Sequence, residues 1–295
     1  MSKKSLKCFQ VIESINLGFN TDIYLATRLD RFDKFVVLKI PKTKKGKELL
    51  RNEYKIYQIL RKKSSKLIGF VRCDGDPNKF LVMQKLDKNL DELFKIHRRN
   101  FPMNTILNLA IEMISRVETL HRINFVHRDL KPQNFMIDRS RIYLIDFEQS
   151  KSFLLSNGRH IIPGETRCLF GSMMFTSINS HFYKEMSRKD DMESLAYILC
   201  YFLHGRLPWN FYEHLRMDLM QKSLKIGSMK QSLLPHILFE NCPIEFSDFL
   251  SYVRNLDFEQ EPDYEMLRSK FSDLFAKSNL NKDEPDMSNV MDNYS

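Results

Sequence analysis

No apolar run in this 295-residue sequence approaches the roughly 20 residues that a helix needs to cross a bilayer, which excludes an α-helical membrane span. The opening stretch MSKKSLKCFQ lacks the apolar core of a secretory signal, so the expected location is the cytoplasm or the nucleus. Cysteine is sparse. Cys8, Cys73, Cys168, Cys200 and Cys242 are scattered, odd in number and never spaced C-x-x-C, which argues against a disulfide framework and against a zinc site and leaves reduced thiols. Internal repeats and low-complexity tracts are absent. What is present is 43% hydrophobic and 12% aromatic residues, enough to bury a substantial core in one or two closely packed domains. The net charge of +9 suits a nucleic-acid surface, an anionic membrane surface or acidic partners, and by itself selects none of them.

The texture changes once along the chain. Up to about residue 85 it reads as short strands broken by one helix: FQVIES, DIYLAT and FVVLKI are β-like, while apolar residues in KELLRNEYKIYQILRKK recur at helical spacing. Two further strands, KLIGFVR and KFLVMQK, are expected around the turn residues Asp74-Gly75-Asp76-Pro77-Asn78. After Asp87 long helices take over, one of them over residues 105–123 with Ile106, Leu109, Ala110, Met113, Val117 and Leu120 on a single face. The segment MESLAYILCYFLHG is apolar nearly all round and stops at Gly205, as a helix at the centre of a lobe would. The polar, acidic residues 277–295 are expected to form a disordered tail.

The strongest chemical signal is His127-Arg128-Asp129-Leu130-Lys131-Pro132-Gln133-Asn134, followed twelve residues after Asn134 by Asp146-Phe147, with the short strands NFMI and IYLI between them. Phosphoryl transfer needs a carboxylate beside the attacking hydroxyl, and a second carboxylate plus an amide oxygen to hold Mg²⁺ between the phosphates. The run resembles a protein kinase catalytic loop and its magnesium-binding partner, which implies Asp129 as catalytic base, Asn134 and Asp146 as metal ligands, and Lys131 on the transferring phosphoryl group. Upstream, Lys39 in Val36-Val37-Leu38-Lys39 matches the strand lysine that grips the nucleotide phosphates. Glu53, fourteen residues on, matches its ion-pair partner on the following helix.

The second half resembles one kinase family in particular. Gly171-Ser172-Met173-Met174-Phe175-Thr176-Ser177-Ile178-Asn179, then Ser187-Arg188-Lys189-Asp190-Asp191-Met192-Glu193-Ser194, Leu207-Pro208-Trp209 and Pro262-Asp263-Tyr264 are similar to the casein kinase I family, with Ser-Ile-Asn where most kinases carry Ala-Pro-Glu. The resemblance implies an α+β, bilobal protein kinase fold over residues 9–276, with a β-rich N-lobe of about 9–86 and a helical C-lobe of about 87–276. It implies ATP and Mg²⁺, with Ile15, Gly18, Ile23, Lys39, Glu53, Met83, Gln84 and Leu86 on the nucleotide. Met83 would be the gatekeeper, and Gln84, Lys85 and Leu86 the hinge. Arg188 and Lys222 would form an anion pocket for acidic or phosphorylated protein substrates, and Asp191 would brace the catalytic loop. A monomer with no direct nucleic-acid binding is expected. By family analogy alone, roles in cytoplasm and nucleus, and in DNA repair, come into view.

Two departures stand against that pattern. Where the family has G-x-G-x-x-G, this chain reads Asn16-Leu17-Gly18-Phe19-Asn20-Thr21 and keeps only the middle glycine, so backbone cradling of phosphates should weaken. Glu148 replaces the glycine of Asp-Phe-Gly, and its carboxylate would either perturb the metal site or point to solvent. An active serine/threonine kinase is the leading expectation. A pseudokinase serving as a binding or scaffold module is the alternative, and a small-molecule phosphotransferase is disfavoured by Arg128 and Lys131-Pro132.

Overall fold

The computed structural model describes residues 8–63 and 69–280. Contacts divide the chain into two compact units: one takes the described residues up to Asp87 together with Tyr143–Gln149, the other takes Lys88–Ile142 and the described residues from Ser150 onward. The expected α+β class holds, with a β-rich unit and a helical one. None of the described helices is long and apolar enough to cross a membrane, and all five cysteines are free thiols.

The first unit is a five-stranded antiparallel sheet with one helix. Its strands are β1 (Phe9–Leu17), β2 (Thr21–Arg28), β3 (Arg31–Pro41), β4 (Cys73–Asp76) and β5 (Phe80–Gln84), in the order β1-β2-β3-β5-β4, and α1 (Lys44–Lys63) follows β3. Alternation along β3 sends Leu38 and Ile40 into a cluster with Ala26 and puts Lys39 on the opposite face. Pairing fixes Lys39 opposite Ile23 on β2 and opposite Leu81 on β5. Helical spacing brings Leu49, Leu50, Glu53, Ile56, Tyr57 and Leu60 of α1 inward together.

One expected strand is displaced. The expected strand KLIGFVR is not formed by its described residues 69–72, residues 64–68 lie outside the described ones, and the strand observed is β4, three of whose four residues fall in the expected turn. Gly75 makes this possible. It sits in β4 at φ +114°, and a Cβ there would lie 2.6 Å from the carbonyl oxygen of Phe80, a close approach that only glycine permits. The reversal tightens to Asp76-Pro77-Asn78-Lys79, where the Lys79 N–H donates to the Asp76 carbonyl at 2.8 Å.

The second unit begins with β6 (Lys88–Asn89) and α2 (Leu90–Ile96), whose first turn is capped by Asn89 and Glu92 reciprocally. Then come α3 (Met103–Arg122), β7 (Phe125–Val126), a 3-10 turn at Pro132–Asn134, β8 (Phe135–Asp138), β9 (Arg141–Leu144), which carries the chain back into the first unit, and β10 (Lys151–Ser152). Five of the remaining helices complete it: α4 (Ile178–His181), α5 (Arg188–His204), α6 (Leu219–Ser232), α7 (Pro235–Leu238) and α8 (Ile244–Asn255), with α9 (Tyr264–Leu280) packed on α3. Helix α5 is buried almost throughout, as its all-round apolar pattern requires, and ends at Gly205 in the left-handed conformation, φ +73°. Residues 277–280 of the expected tail belong instead to α9, which continues through Leu280; residues 281–295 lie outside the described ones.

Candidate functional site

Functional side chains gather separately in each unit. In the first, the Lys39 ammonium lies 2.8 Å from Glu53, 2.9 Å from Asp146 and 2.8 Å from Glu148. Lys39 is 4% exposed and Glu53 fully buried. Burial opposes the charge on Lys39, but the carboxylates of Asp146, Glu53 and Glu148 together outweigh it and hold the ammonium well above the usual lysine range. Burial raises the Glu53 carboxyl, against the pull of Lys39.

The stretch bearing Asp146 is fastened to α1. Phe147 is fully buried, with its ring edge-on to Tyr57 at 5.0 Å, and the Asn52 amide donates to the carbonyls of Phe147 and Glu148, each at 3.3 Å. The left-handed backbone falls on Asp146, at φ +67°, while Glu148 is not among the positive-φ residues. Position 148 therefore carries no left-handed backbone strain, and the Glu148 carboxylate turns toward Lys39 rather than to solvent. Gly18 keeps its glycine for a visible reason: a Cβ would stand 2.6 Å from the Thr21 carbonyl oxygen, to which the Gly18 N–H donates at 3.0 Å. Ile15 lies exposed on β1, Ile23 on β2 and Met83 on β5 opposite Val37. The Gln84 N–H donates to the Arg72 carbonyl at 3.1 Å, and Leu86 is buried.

In the second unit the 3-10 turn at Pro132–Asn134 folds the loop back on itself. The Asn134 amide donates to the Asp129 carbonyl at 2.8 Å, leaving its own oxygen for another partner. Asp129 Oδ2 accepts from Lys131 at 2.7 Å, and Oδ1 accepts the Ser172 N–H at 2.9 Å. Both carboxylate oxygens are thus held in place. Behind the loop, buried Asp191 accepts the N–H groups of His127 at 2.6 Å and Arg128 at 2.9 Å, and pairs with His121 at 2.9 Å. Burial pushes its carboxyl up, but His121 and then His127 prevail and hold it below the usual aspartate range. This is the bracing contact that the resemblance implies for Asp191.

Sequence reasoning missed the grip on the segment after Gly171. Lys230, buried in α6, donates to the carbonyls of Met173 at 3.1 Å and Thr176 at 2.6 Å, and its ammonium lies over the rings of Tyr197 and Trp209. Trp209 Nε1 donates to the Met174 carbonyl at 2.8 Å, and Ser177 Oγ to Asp190 at 2.7 Å. Gly171 adopts φ +81°, and a Cβ there would lie 2.7 Å from the Arg128 carbonyl oxygen.

The structure gives Arg188 and Lys222 separate partners. Arg188 donates to the Glu259 carbonyl, approaches Glu261 at 3.6 Å and lies over Phe153, whereas Lys222 donates to the Glu213 carbonyl at 3.2 Å. These contacts have no residue in common.

For a divalent cation, the donor chemistry fits. Carboxylate oxygens of Glu53, Asp146 and Glu148 lie within 4.8 Å of one another, and hard oxygen donors suit Mg²⁺. Asp146, with its side chain 31% exposed, is the most accessible of the three, while Lys39 already bonds each of them. The first unit holds a strand lysine paired to a helix glutamate and an aspartate beside a buried phenylalanine, and the second holds an aspartate–lysine–asparagine loop; each is a residue set that phosphoryl transfer uses. The family model for the protein kinase domain matches residues 9–270. The chain belongs to the protein kinase family.

Proposed function

We propose that the chain is a serine/threonine protein kinase of the casein kinase I type that transfers the γ-phosphate of ATP, with Mg²⁺, to hydroxyls of protein substrates. The observation that carries this reading is Asp129 with both oxygens oriented, one by Lys131 and one by the Ser172 N–H. A carboxylate fixed in this way can accept the hydrogen of a serine or threonine hydroxyl and aim its oxygen. Lys131, 2.7 Å from Asp129, can also donate to the transferring phosphoryl group and offset its negative charge. Lys39, held by Glu53, grips the nucleotide phosphates. By the kinase pattern Asp146 and Asn134 are the cation ligands, and the cation would offset the charge of the nucleotide phosphates.

The casein kinase I assignment is supported by the run from Gly171 to Asn179 and by the contacts that Trp209 makes with it. Acidic or phosphorylated substrates are supported by that resemblance and by the charge of +9; Arg188 is engaged with Glu259, Glu261 and Phe153, and Lys222 with the Glu213 carbonyl alone among the contacts described. Action as a monomer in the cytoplasm or nucleus, and a part in DNA repair, rest on family analogy. The pseudokinase alternative is favoured by one observation, the ion pair of Glu148 with Lys39.

Incubation with Mg-ATP, casein, a phosphoserine-primed peptide and its unprimed twin tests the reading. Phosphoserine and phosphothreonine in casein, with faster labelling of the primed peptide, are the expected products. Phosphotyrosine alone contradicts the serine/threonine assignment, and equal rates on the two peptides contradict the priming preference.

A further inference from the structure

In the kinase pattern, the strand lysine and the last glycine of the phosphate loop both face the nucleotide's phosphates. Lys39 and Thr21 occupy those positions here, and both address the same atom of this protein. Glu148 Oε1 lies 2.8 Å from the Lys39 ammonium and accepts from the Thr21 hydroxyl at 3.3 Å. An oxyanion held between an ammonium and a hydroxyl reproduces the chemistry of a bound phosphate oxygen.

The surroundings make this a built contact. Asn52 holds the Glu148 backbone, Phe147 is anchored against Tyr57, and the Glu148 side chain is 15% exposed. The loop is tied down from its other side too. Thr43 Oγ1 donates to Asn20 Oδ1 at 2.9 Å, the Lys42 N–H donates to the Asn20 carbonyl at 2.8 Å, and the Lys42 ammonium reaches the Gly18 carbonyl at 2.9 Å. A hinge of three glycines has become a loop pinned at Gly18, Asn20 and Thr21.

We propose that Glu148 is an internal stand-in for a nucleotide phosphate: it engages Lys39 and Thr21, competes with nucleotide for both, and thereby sets the protein's nucleotide affinity. Glu148 acts through Lys39 and Thr21 and is a positioning residue. The proposal rests on the kinase reading above. It concerns a carboxylate that the family pattern lacks, at a position where that pattern has glycine.

Calorimetric titration of ADP into the full chain, once with excess EDTA and once with Mg²⁺, tests it. With EDTA, Glu148→Gly and Glu148→Gln are expected to bind ADP about tenfold more tightly than wild type, because a negative charge that repels phosphate is gone. The glutamine variant keeps the side-chain volume and serves if glycine loosens the fold. A gain in affinity cannot arise from structural damage. In the Glu148→Gly background, where the Thr21 hydroxyl is released, adding Thr21→Ala should weaken ADP binding, whereas Thr21→Ala alone should change it little. Unchanged affinity in EDTA for both Glu148 variants overturns the proposal and leaves the kinase reading standing. Weaker Mg-ADP binding with no gain in EDTA also overturns it, and makes Glu148 a cation ligand beside Asp146. Failure of wild type and variants alike to bind ADP under either condition overturns both.

Discussion

The hydroxyl of Thr21 donates to Glu148 Oε1 at 3.3 Å across a sequence separation of 127 residues, so two of the three side chains that replace kinase glycines touch each other. Taken along the sequence, they are two separate weakenings, one of the phosphate loop and one of the metal motif. In the fold they form one contact, which also takes in Lys39.

Lys39 is the charge on which that cluster depends. Replacing it with methionine leaves the fully buried Glu53 without its ammonium, and Glu53 Oε1 already lacks a hydrogen-bond partner. Lys39→Met is expected to lower the unfolding free energy by about 3 kcal/mol, since breaking a buried ion pair strands a charge, and to abolish transfer. Urea denaturation at neutral pH measures the first effect. An unchanged midpoint would show that Glu53 is neutral and needs no cation.

Asp191 should matter to catalysis without touching a substrate. In Asp191→Asn one carboxylate oxygen becomes an amide donor facing the N–H groups of His127 or Arg128. The expected loss is about 2 kcal/mol of stability, with kcat reduced and the affinity for ADP retained. Steady-state kinetics beside calorimetry separates these. A matching loss of ADP affinity would contradict a role confined to the catalytic loop.

Much of this site was legible in the sequence because chemistry restricts the residues. The base, metal ligands and phosphate lysine of the proposed reaction leave little choice at Asp129, Asn134, Asp146 and Lys39, and Glu53, which matches the kinase ion-pair partner of that lysine, lies inward on α1. What escaped depends on packing between distant segments. Lys230 is one of several lysines in KSLKIGSMKQS, and only the packing of α6 on α4 turns it into a buried donor to Met173 and Thr176. The orientation of Glu148 was open for the same reason, being settled by Lys39 and Thr21, far away in the chain. Arg188 looked free to bind an anion until Glu259, Glu261 and Phe153 were placed around it.

Stability should fall on mild acidification through His181. This ring is buried, with Nε2 3.1 Å from the Lys230 Nζ and Nδ1 3.0 Å from Ser223 Oγ. Burial, then Lys230, depresses its pKa to about 2, from an ordinary value of 6.5. The unfolded chain therefore takes up a proton that the folded one refuses. Stability from this group is full above pH 6.5 and is lost as pH falls toward 2, at up to about 1.4 kcal/mol per pH unit. Denaturation midpoints between pH 7 and 5 should drop in wild type and drop less steeply in His181→Gln. Parallel slopes would show that other groups carry the acid sensitivity.

The most direct test of the central claim compares wild type with Asp129→Asn on Mg-ATP and casein. The variant keeps the side-chain size and the oxygen facing either Lys131 or the Ser172 N–H, but loses the base. The expected result is measurable transfer by wild type and a rate roughly 10²- to 10⁴-fold lower in the variant, with the two melting at similar temperatures and binding ADP alike. Wild type no faster than Asp129→Asn would contradict phosphoryl transfer by this site and establish the chain as a kinase fold that binds without catalysing.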